Sequence, residues 1–278
     1  MLVTHTEIKL VIFFLIIGLI FGSFLNVIIY RLPIMILKTP KIDENFNLLY
    51  PSSHCRFCKK PIPFYNNIPI LSYLILKGKC SNCKNHISLQ YPIVEIVTAL
   101  VTLHASWHFN LGYDFIAILL FCYLLISIAV IDFNHKIVPN SLSFSLILSG
   151  ITSSIIFHLQ GDKDILAEPI SSILGILFGY FLPFVIYRFH LLFTGREGMG
   201  HGDFKLLAGL GAWLGWKMIP IVLFFAAITG LIYAFFLIAF KKIENDRPIP
   251  FAPFLSLAGW ILMFYAERII DIYIDIFV

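Results

Sequence analysis

One stretch carries the first evidence on both the fold and the chemistry of this chain: Gly198-Met199-Gly200-His201-Gly202-Asp203-Phe204-Lys205. Asp203 stands just before an apolar run, Leu206–Trp216, and a carboxylate bordering hydrocarbon costs free energy unless it is functional or paired. Glycines carry no side chain and permit positive φ, so they let a second backbone come close. We therefore predict an approach loop for an extended substrate strand, made of Gly198, Gly200, Gly202 and Lys205.

A second carboxylate, Asp132, has a similar position in the sequence. It ends the apolar run Phe115–Ile131, and Val138-Pro139 follows shortly afterwards. Two acids at helix ends on one side of a membrane suggest an aspartyl hydrolase, in which one ionised and one protonated carboxyl hold a water between them. Close like charges do not both ionise cheaply, so such a pair shares a proton. On spacing alone, a flexible glycine turn with two solvated acids is the open alternative.

The composition is that of an all-α polytopic membrane protein. Hydrophobic residues make up 59% of the chain and charged residues 13%, whereas soluble domains average about 25% charged residues. A crossing helix needs about 20 apolar residues, and this length predicts about eight spans. They are Leu10–Tyr30, Tyr91–His108, Tyr113–Ile131, Ser141–His158, Ile170–Leu191, a short span ending near Trp216, a span ending at Phe240, and Phe251–Ile270.

The placement of lysine and arginine predicts the orientation of these spans. In the eight-span topology, sixteen of the twenty basic residues fall on the side that carries residues 31–90, Asp132 and Asp203. Positive charge accumulates in cytoplasmic loops, so this side is predicted to be cytoplasmic and both termini external. The net charge of +4 follows from this topology, and no basic patch indicates a nucleic-acid partner.

Residues 31–90 form a predicted polar domain between a first helix, 1–30, and a seven-helix membrane region, 91–278. Two cysteine pairs lie in this domain and are separated by 21 residues: Cys55-x-x-Cys58 and Cys80-x-x-Cys83. Two such pairs suit one tetrahedral zinc site. Disulfides are an alternative that needs an oxidising compartment, and free thiols are another. The predicted cytoplasmic position favours a structural metal.

Two further polar residues are predicted at membrane depth. Glu95 lies one turn inside the second span, where it is either a functional acid or a cap of the helix N-terminus. Asn26 lies in the first span, where a contact between helices is a simpler explanation than a chemical role. We retain both as candidate site residues.

Taken together, the motifs resemble those of the bacterial type IV prepilin peptidases, within the membrane aspartyl proteases that have a Gly-x-Gly-Asp motif. The resemblance runs almost from end to end of the chain, with the motifs in order. It is carried by 22–33, 53–58, 67–73, 78–83, 87–95, Asp132 with Pro139, 197–207 and 250–259.

This resemblance implies a protease of the bacterial inner membrane. It would cleave the leader of type IV prepilins, or of type II secretion pseudopilins, after a glycine on the cytoplasmic side. Asp132 and Asp203 match the catalytic pair of that family. Many members then methylate the new N-terminal residue, usually phenylalanine, with S-adenosylmethionine, and the four-cysteine loop resembles that of these bifunctional members. The sequence departs from the family at Gln90 and Asn140 and in having no cysteine in the first span.

Three alternatives are kept. A peptidase-only member would lack methylation, and the departure from the family at Gln90 is relevant to this alternative. A proton-coupled transporter with intramembrane carboxylates predicts inverted repeats and acids near mid-bilayer, and the sequence shows no internal repeat. A non-catalytic pilus-assembly protein would not need both carboxylates. The sequence makes no prediction of the oligomeric state.

Overall fold

A computed structural model describes residues 5–37, 46–161, 167–195, 199–240 and 249–277. These ranges hold nine α-helices and two short 3-10 segments, and no strand beyond two isolated β-bridges, so the all-α prediction is confirmed. The helices are α1 His5–Leu37, α2 Leu71–Ile75, α3 Gln90–His108, α4 Tyr113–His135, α5 Asn140–Gln160, α6 Pro169–Thr194, α7 His201–Leu214, α8 Ile219–Ala239 and α9 Ala252–Phe277.

Six of the described helical segments are long and apolar enough to cross a membrane, so the predicted count of about eight is only approximate. α7 has 14 residues and is about 21 Å long, less than the hydrocarbon core of about 30 Å. α3 has 19 residues but carries Glu95, two threonines and two histidines. The six are Ile8–Leu37, Tyr113–His135, Asn140–Gln160, Pro169–Thr194, Trp216–Ala239 and Ala252–Ile272.

The chain divides into two compact units, and the division falls inside α4, after Ser127. In the first unit, α1 packs along α3 through small residues. A side chain at Gly22 would place its Cβ 2.7 Å from Cα of Glu95, and one at Gly18 would meet Cα of Ala99. Small residues permit this close approach of two helices.

In the second unit, the short helix α7 forms the core. Six of its side chains are completely buried: Phe204, Leu206, Leu207, Leu210, Ala212 and Trp213. α6 lies directly against it, with Gly175 and Gly211 in backbone contact. α5 is fixed to it by the indole N–H of Trp213, which donates to the carbonyl of Leu146 over 2.9 Å. A helix too short to span alone is therefore positioned by its neighbours.

Several helix ends differ from the predicted bounds. α1 extends seven residues beyond Tyr30, and α4 continues past Asp132 to His135. The connection between α4 and α5 is therefore confined to residues 136–139. Helices are longer than their apolar stretches because polar residues continue the backbone ladder once a helix has formed.

Candidate active site

The two predicted acids lie in the same unit, at opposite kinds of helix end. Asp203 lies in the first turn of α7, where its N–H donates to the carbonyl of Gly200 over 3.1 Å. Asp132 lies in the last turn of α4. Asp132 is 5% exposed and Asp203 is 7% exposed, so neither is a solvated helix-end charge. The burial of both carboxylates therefore argues against the alternative that they are solvated charges at helix ends.

The two carboxyl groups act on each other electrostatically. Burial and, to a smaller extent, the negative charge of Asp132 raise the pKa of Asp203 to about 7, against a hydrogen bond from the backbone of Gly200 that lowers it. Oδ2 of Asp132 accepts the backbone N–H of Ala252 over 3.2 Å, and this donor stabilises the ionised form. Near neutral pH, the arrangement therefore favours a proton on Asp203 and a charge on Asp132.

The N–H of Ala252 is a site feature that the sequence did not single out. It comes from the first residue of α9, so three helices contribute to the pair. Any residue except proline supplies such a donor, and only the position of the backbone makes it functional. The sequence signal for this region is the motif 250–259, which belongs to the family resemblance but does not identify a backbone donor.

The glycine-rich segment packs against the turn that follows α4. A Cβ on Gly202 would lie 2.7 Å from Cβ of Val138, so a larger residue would push this turn away. Nζ of Lys205 donates to Oδ1 of Asn140 over 2.7 Å. A Cβ on Gly200 would make only an ordinary contact with Asp203, and Gly198 lies outside the described residues. Gly202 and Lys205 thus contact the turn after α4 and the first residue of α5, and the predicted role of these residues in approach of the substrate stays a prediction.

The four cysteines of the first unit converge on one point. Their Sγ atoms all lie within 4.8 Å of one another, and the Sγ atoms of Cys55 and Cys83 are 3.8 Å apart. A tetrahedral zinc site with Zn–S bonds of about 2.3 Å has sulfur–sulfur distances of about 3.8 Å. The sulfur positions therefore fit zinc, as the spacing predicts.

The two cysteine pairs have the same backbone geometry. The N–H of Cys55 donates to the carbonyl of Lys60, and the N–H of Lys59 donates back to Cys55. Cys80 repeats both bonds with Asn85 and Lys84. The lysine after each second cysteine has positive φ, 54° at Lys59 and 60° at Lys84. Two matching turns each present two thiols, which is the arrangement that a structural metal needs.

Asn26 and Glu95 line a single cavity of about 400 Å³ in the first unit. Nδ2 of Asn26 donates to the carbonyl of Tyr91 over 3.0 Å. Glu95 accepts the backbone N–H of Ile70 over 2.8 Å. The structure thus brings these two candidates together. The sequence alone did not predict this, because the two residues come from different helices.

Comparisons with known proteins match both units. The model described as Bacterial Peptidase A24 N-terminal domain matches residues 16–109, and that of the Type IV leader peptidase family matches residues 119–235. The chain is 38% identical over 273 residues to a protein of Aeromonas salmonicida named prepilin leader peptidase/N-methyltransferase, covering 93% of this chain and 91% of that protein. This chain belongs to the type IV leader peptidase family.

Other relatives of the chain are named prepilin leader peptidase/N-methyltransferase as well. A protein of Dichelobacter nodosus is 39% identical, covering 91% of this chain and 90% of that protein. One of Pseudomonas aeruginosa is 36% identical, covering 94% and 92%. No solved structure matches the chain. The leader peptidase match includes both acids, whereas the N-terminal match includes Asn26, Glu95 and the four cysteines.

Proposed function

We propose that this chain is an aspartic endopeptidase of the bacterial inner membrane that removes the leader peptide of type IV prepilins or of type II secretion pseudopilins. It then N-methylates the new N-terminal residue with S-adenosylmethionine. The observation that carries the proteolytic half is the pair of buried acids, in which the charge of Asp132 helps to raise the pKa of Asp203. The relatives named prepilin leader peptidase/N-methyltransferase support the methyltransferase half.

Peptide hydrolysis follows from this distribution of one proton over two acids. Ionised Asp132 takes a proton from a water molecule held between the acids, while protonated Asp203 polarises the scissile carbonyl. The water oxygen adds to the carbonyl carbon and forms a tetrahedral intermediate. Transfer of a proton to the leaving nitrogen then breaks the C–N bond. The proton count of the pair is restored for the next substrate.

The four cysteines are proposed to hold one structural zinc. Residues 46–89 contain only short helical segments and few buried apolar side chains, so a metal would supply the cross-link that a hydrophobic core provides elsewhere. Zinc closed by four thiolates has no open coordination position, so its proposed role is stability of the loop.

We place the acids and the cysteine loop at the cytoplasmic face, because the basic residues accumulate on that side in the predicted topology. Reporter fusions after Lys84 and after Val278 test this orientation. A cytoplasmic signal at the first position and an external signal at the second are expected. A cytoplasmic signal at Val278 would contradict eight spans with external termini.

Purified Asp132→Asn and Asp203→Asn proteins test the acid pair. Each variant should lose leader cleavage by at least about a hundredfold, since an amide neither takes the proton from water nor shares one with its partner. Asp114→Asn is the matched control, because Asp114 lies in the first turn of the same helix as Asp132. Cleavage of a synthetic prepilin is the measurement. Cleavage near the normal rate by either variant would overturn the assignment.

A further inference from the structure

The cavity in the first unit has the size and lining of a ligand site that the acid pair does not use. Its volume of about 400 Å³ lies within the range of small-molecule pockets, about 300–1,000 Å³. The lining includes Asn26 and Tyr30 of α1, Arg56 of the cysteine loop, and Tyr91 and Glu95 of α3. Two helices and the metal-binding loop thus meet around one space.

Asn26 has an oxygen that lacks a donor. The residue is 4% exposed, and no group in the described ranges donates to its Oδ1. Rotating the amide does not resolve this, because Nδ2 already donates to the carbonyl of Tyr91, and exchange would place two oxygens together. A buried acceptor without a donor costs about 1–3 kcal/mol. A ligand that donates a hydrogen bond here would remove that cost.

The carboxylate of Glu95 likewise has no cationic partner among the described residues. It is 7% exposed and, within the described part of the chain, receives one hydrogen bond, from the N–H of Ile70. The nearby guanidinium groups are engaged elsewhere. Arg31 donates to the carbonyls of Asn47 and Pro51, and Arg56 stacks on the ring of Tyr30 at 4.0 Å. A buried carboxylate is stabilised by a cation, and here the cation would come from a ligand.

We propose that this cavity is the methyl-transfer site, and that Oδ1 of Asn26 and the carboxylate of Glu95 bind the N-terminal amine of the cleaved pilin. The proposal rests on the methyltransferase half of the proposed function and assigns residues to it. A primary ammonium group offers three N–H donors and one positive charge, and two adjacent acceptors, one of them charged, complement it.

The same two groups account for the chemistry of the transfer. Glu95 takes one proton from the bound ammonium, which leaves a lone pair on nitrogen. That pair attacks the methyl carbon of S-adenosylmethionine, the C–S bond breaks, and its electrons pass to sulfur, which leaves as a neutral thioether. The methylated amine keeps the charge, and Glu95 releases its proton to water. Asn26 fixes the direction of the lone pair and is a positioning residue.

Glu95→Gln in the full-length protein tests this assignment, with Glu267→Gln, an exposed glutamate on α9, as the matched control. Glutamine keeps the size of the side chain and an oxygen for the N–H of Ile70, but it has no charge and takes no proton. A synthetic peptide that begins with a free N-terminal phenylalanine is the substrate. We expect methylation to fall by at least a hundredfold and leader cleavage to stay within twofold.

The pH profile separates a chemical role from a structural one. In Glu95→Gln the residual methylation should rise about tenfold per pH unit up to about pH 8, because the α-amino group must lose its proton to solvent instead.

Asn26→Leu should weaken binding of the peptide by tenfold or more. Normal methylation in both variants would overturn the site but leave the methyltransferase function standing. Parallel loss of cleavage and methylation in Glu95→Gln would indicate a structural role and overturn it as well. Absence of methylation in the wild-type protein would overturn the function and the site together.

Discussion

The backbone N–H of Ala252 donates to Oδ2 of Asp132, which ties the first residue of α9 to the last turn of α4. Asp132 therefore receives a donor that cannot dissociate or reorient as a side chain would. Accepting a backbone N–H favours the ionised form of a carboxylate and fixes its orientation. This is what the proposed general base needs before substrate arrives.

Removing that donor should slow cleavage without unfolding the protein. Ala252→Pro deletes only the N–H, and the first position of a helix tolerates proline. We expect leader cleavage to fall by about ten- to a hundredfold, as measured on a synthetic prepilin. Ala252→Gly, which keeps the N–H, serves as the control and should cleave at close to the normal rate. Equal activity of the two variants would contradict a role for this hydrogen bond.

The raised pKa of Asp203 predicts that the acid destabilises the fold as pH rises. Burial and the charge of Asp132 raise this pKa to about 7, above the value of about 3.9 for an unfolded chain. Between about pH 4 and pH 7 the folded chain binds more protons than the unfolded chain, so stability falls as pH rises through this window. Asp203→Asn removes the titration, so its thermal midpoint should exceed that of the wild type by several degrees at pH 8 and by little at pH 4.

Thermal unfolding in detergent at several pH values measures this difference. A difference between Asp203→Asn and the wild type that stays constant with pH would contradict the assignment. Cleavage by the wild type offers a second measurement. Its rate should decline above about pH 7, because the pair then loses the shared proton that polarises the scissile carbonyl.

The sequence predicted the chemistry better than it predicted the surroundings of the acids. Asp132 and Asp203 stood out because carboxylates next to apolar runs are costly, and this cost does not depend on the tertiary fold. The sequence left open whether they were solvated, because burial depends on how α4, α7 and α9 meet. Ala252 was missed for the same reason, since a backbone donor has no sequence signature.

The eight-span prediction shows a second limit. Apolar length marks a helix that could cross a bilayer, but neighbouring helices bury the apolar residues of α7, and its 14 residues are fewer than the about 20 of a typical crossing helix. Hydropathy alone does not separate these two environments. Asn26 and Glu95 show a third limit, since they line one cavity only once α1 and α3 have packed together, and the sequence does not specify this pairing of helices.

The contact between Gly175 and Gly211 should be the most sensitive point in the packing of α7. A Cβ on Gly175 would overlap the backbone of Gly211, and backbone cannot rotate away as a side chain can. Gly175→Ala should therefore lower the thermal midpoint and reduce leader cleavage, because α7 carries Asp203. Overpacking of this kind costs about 1–3 kcal/mol or more. The measurement is thermal unfolding together with cleavage of a synthetic prepilin.

Gly230→Ala is the matched control for this change, since Gly230 also lies within a helix. A Cβ there would meet the ring of Phe254 at 3.4 Å, which is an ordinary contact. Alanine favours helix over glycine by about 1 kcal/mol, so this variant should be neutral or slightly stabilised. Equal midpoints for Gly175→Ala and Gly230→Ala would argue against the proposed importance of the close contact.

The cysteine loop leads to the last prediction. Purified protein prepared without chelators should contain about one zinc per chain, because four thiolates close one tetrahedral site. Cys80→Ser should lower the zinc content substantially, and Cys122→Ser should not, since Cys122 is buried within α4. Zinc content is measured by elemental analysis under reducing conditions. If the protein purified under those conditions contains no metal, the zinc proposal is contradicted.

The two activities should then respond differently to loss of the metal. Cys55 and Cys80 line the cavity assigned to methyl transfer, so a loosened loop changes that cavity directly. The acid pair instead belongs to the other unit and is held by α4, α7 and α9. In Cys80→Ser, methylation of a pre-cleaved peptide should fall at least tenfold further than leader cleavage does. Equal loss of both activities would mean that the metal supports the whole protein and not this cavity in particular.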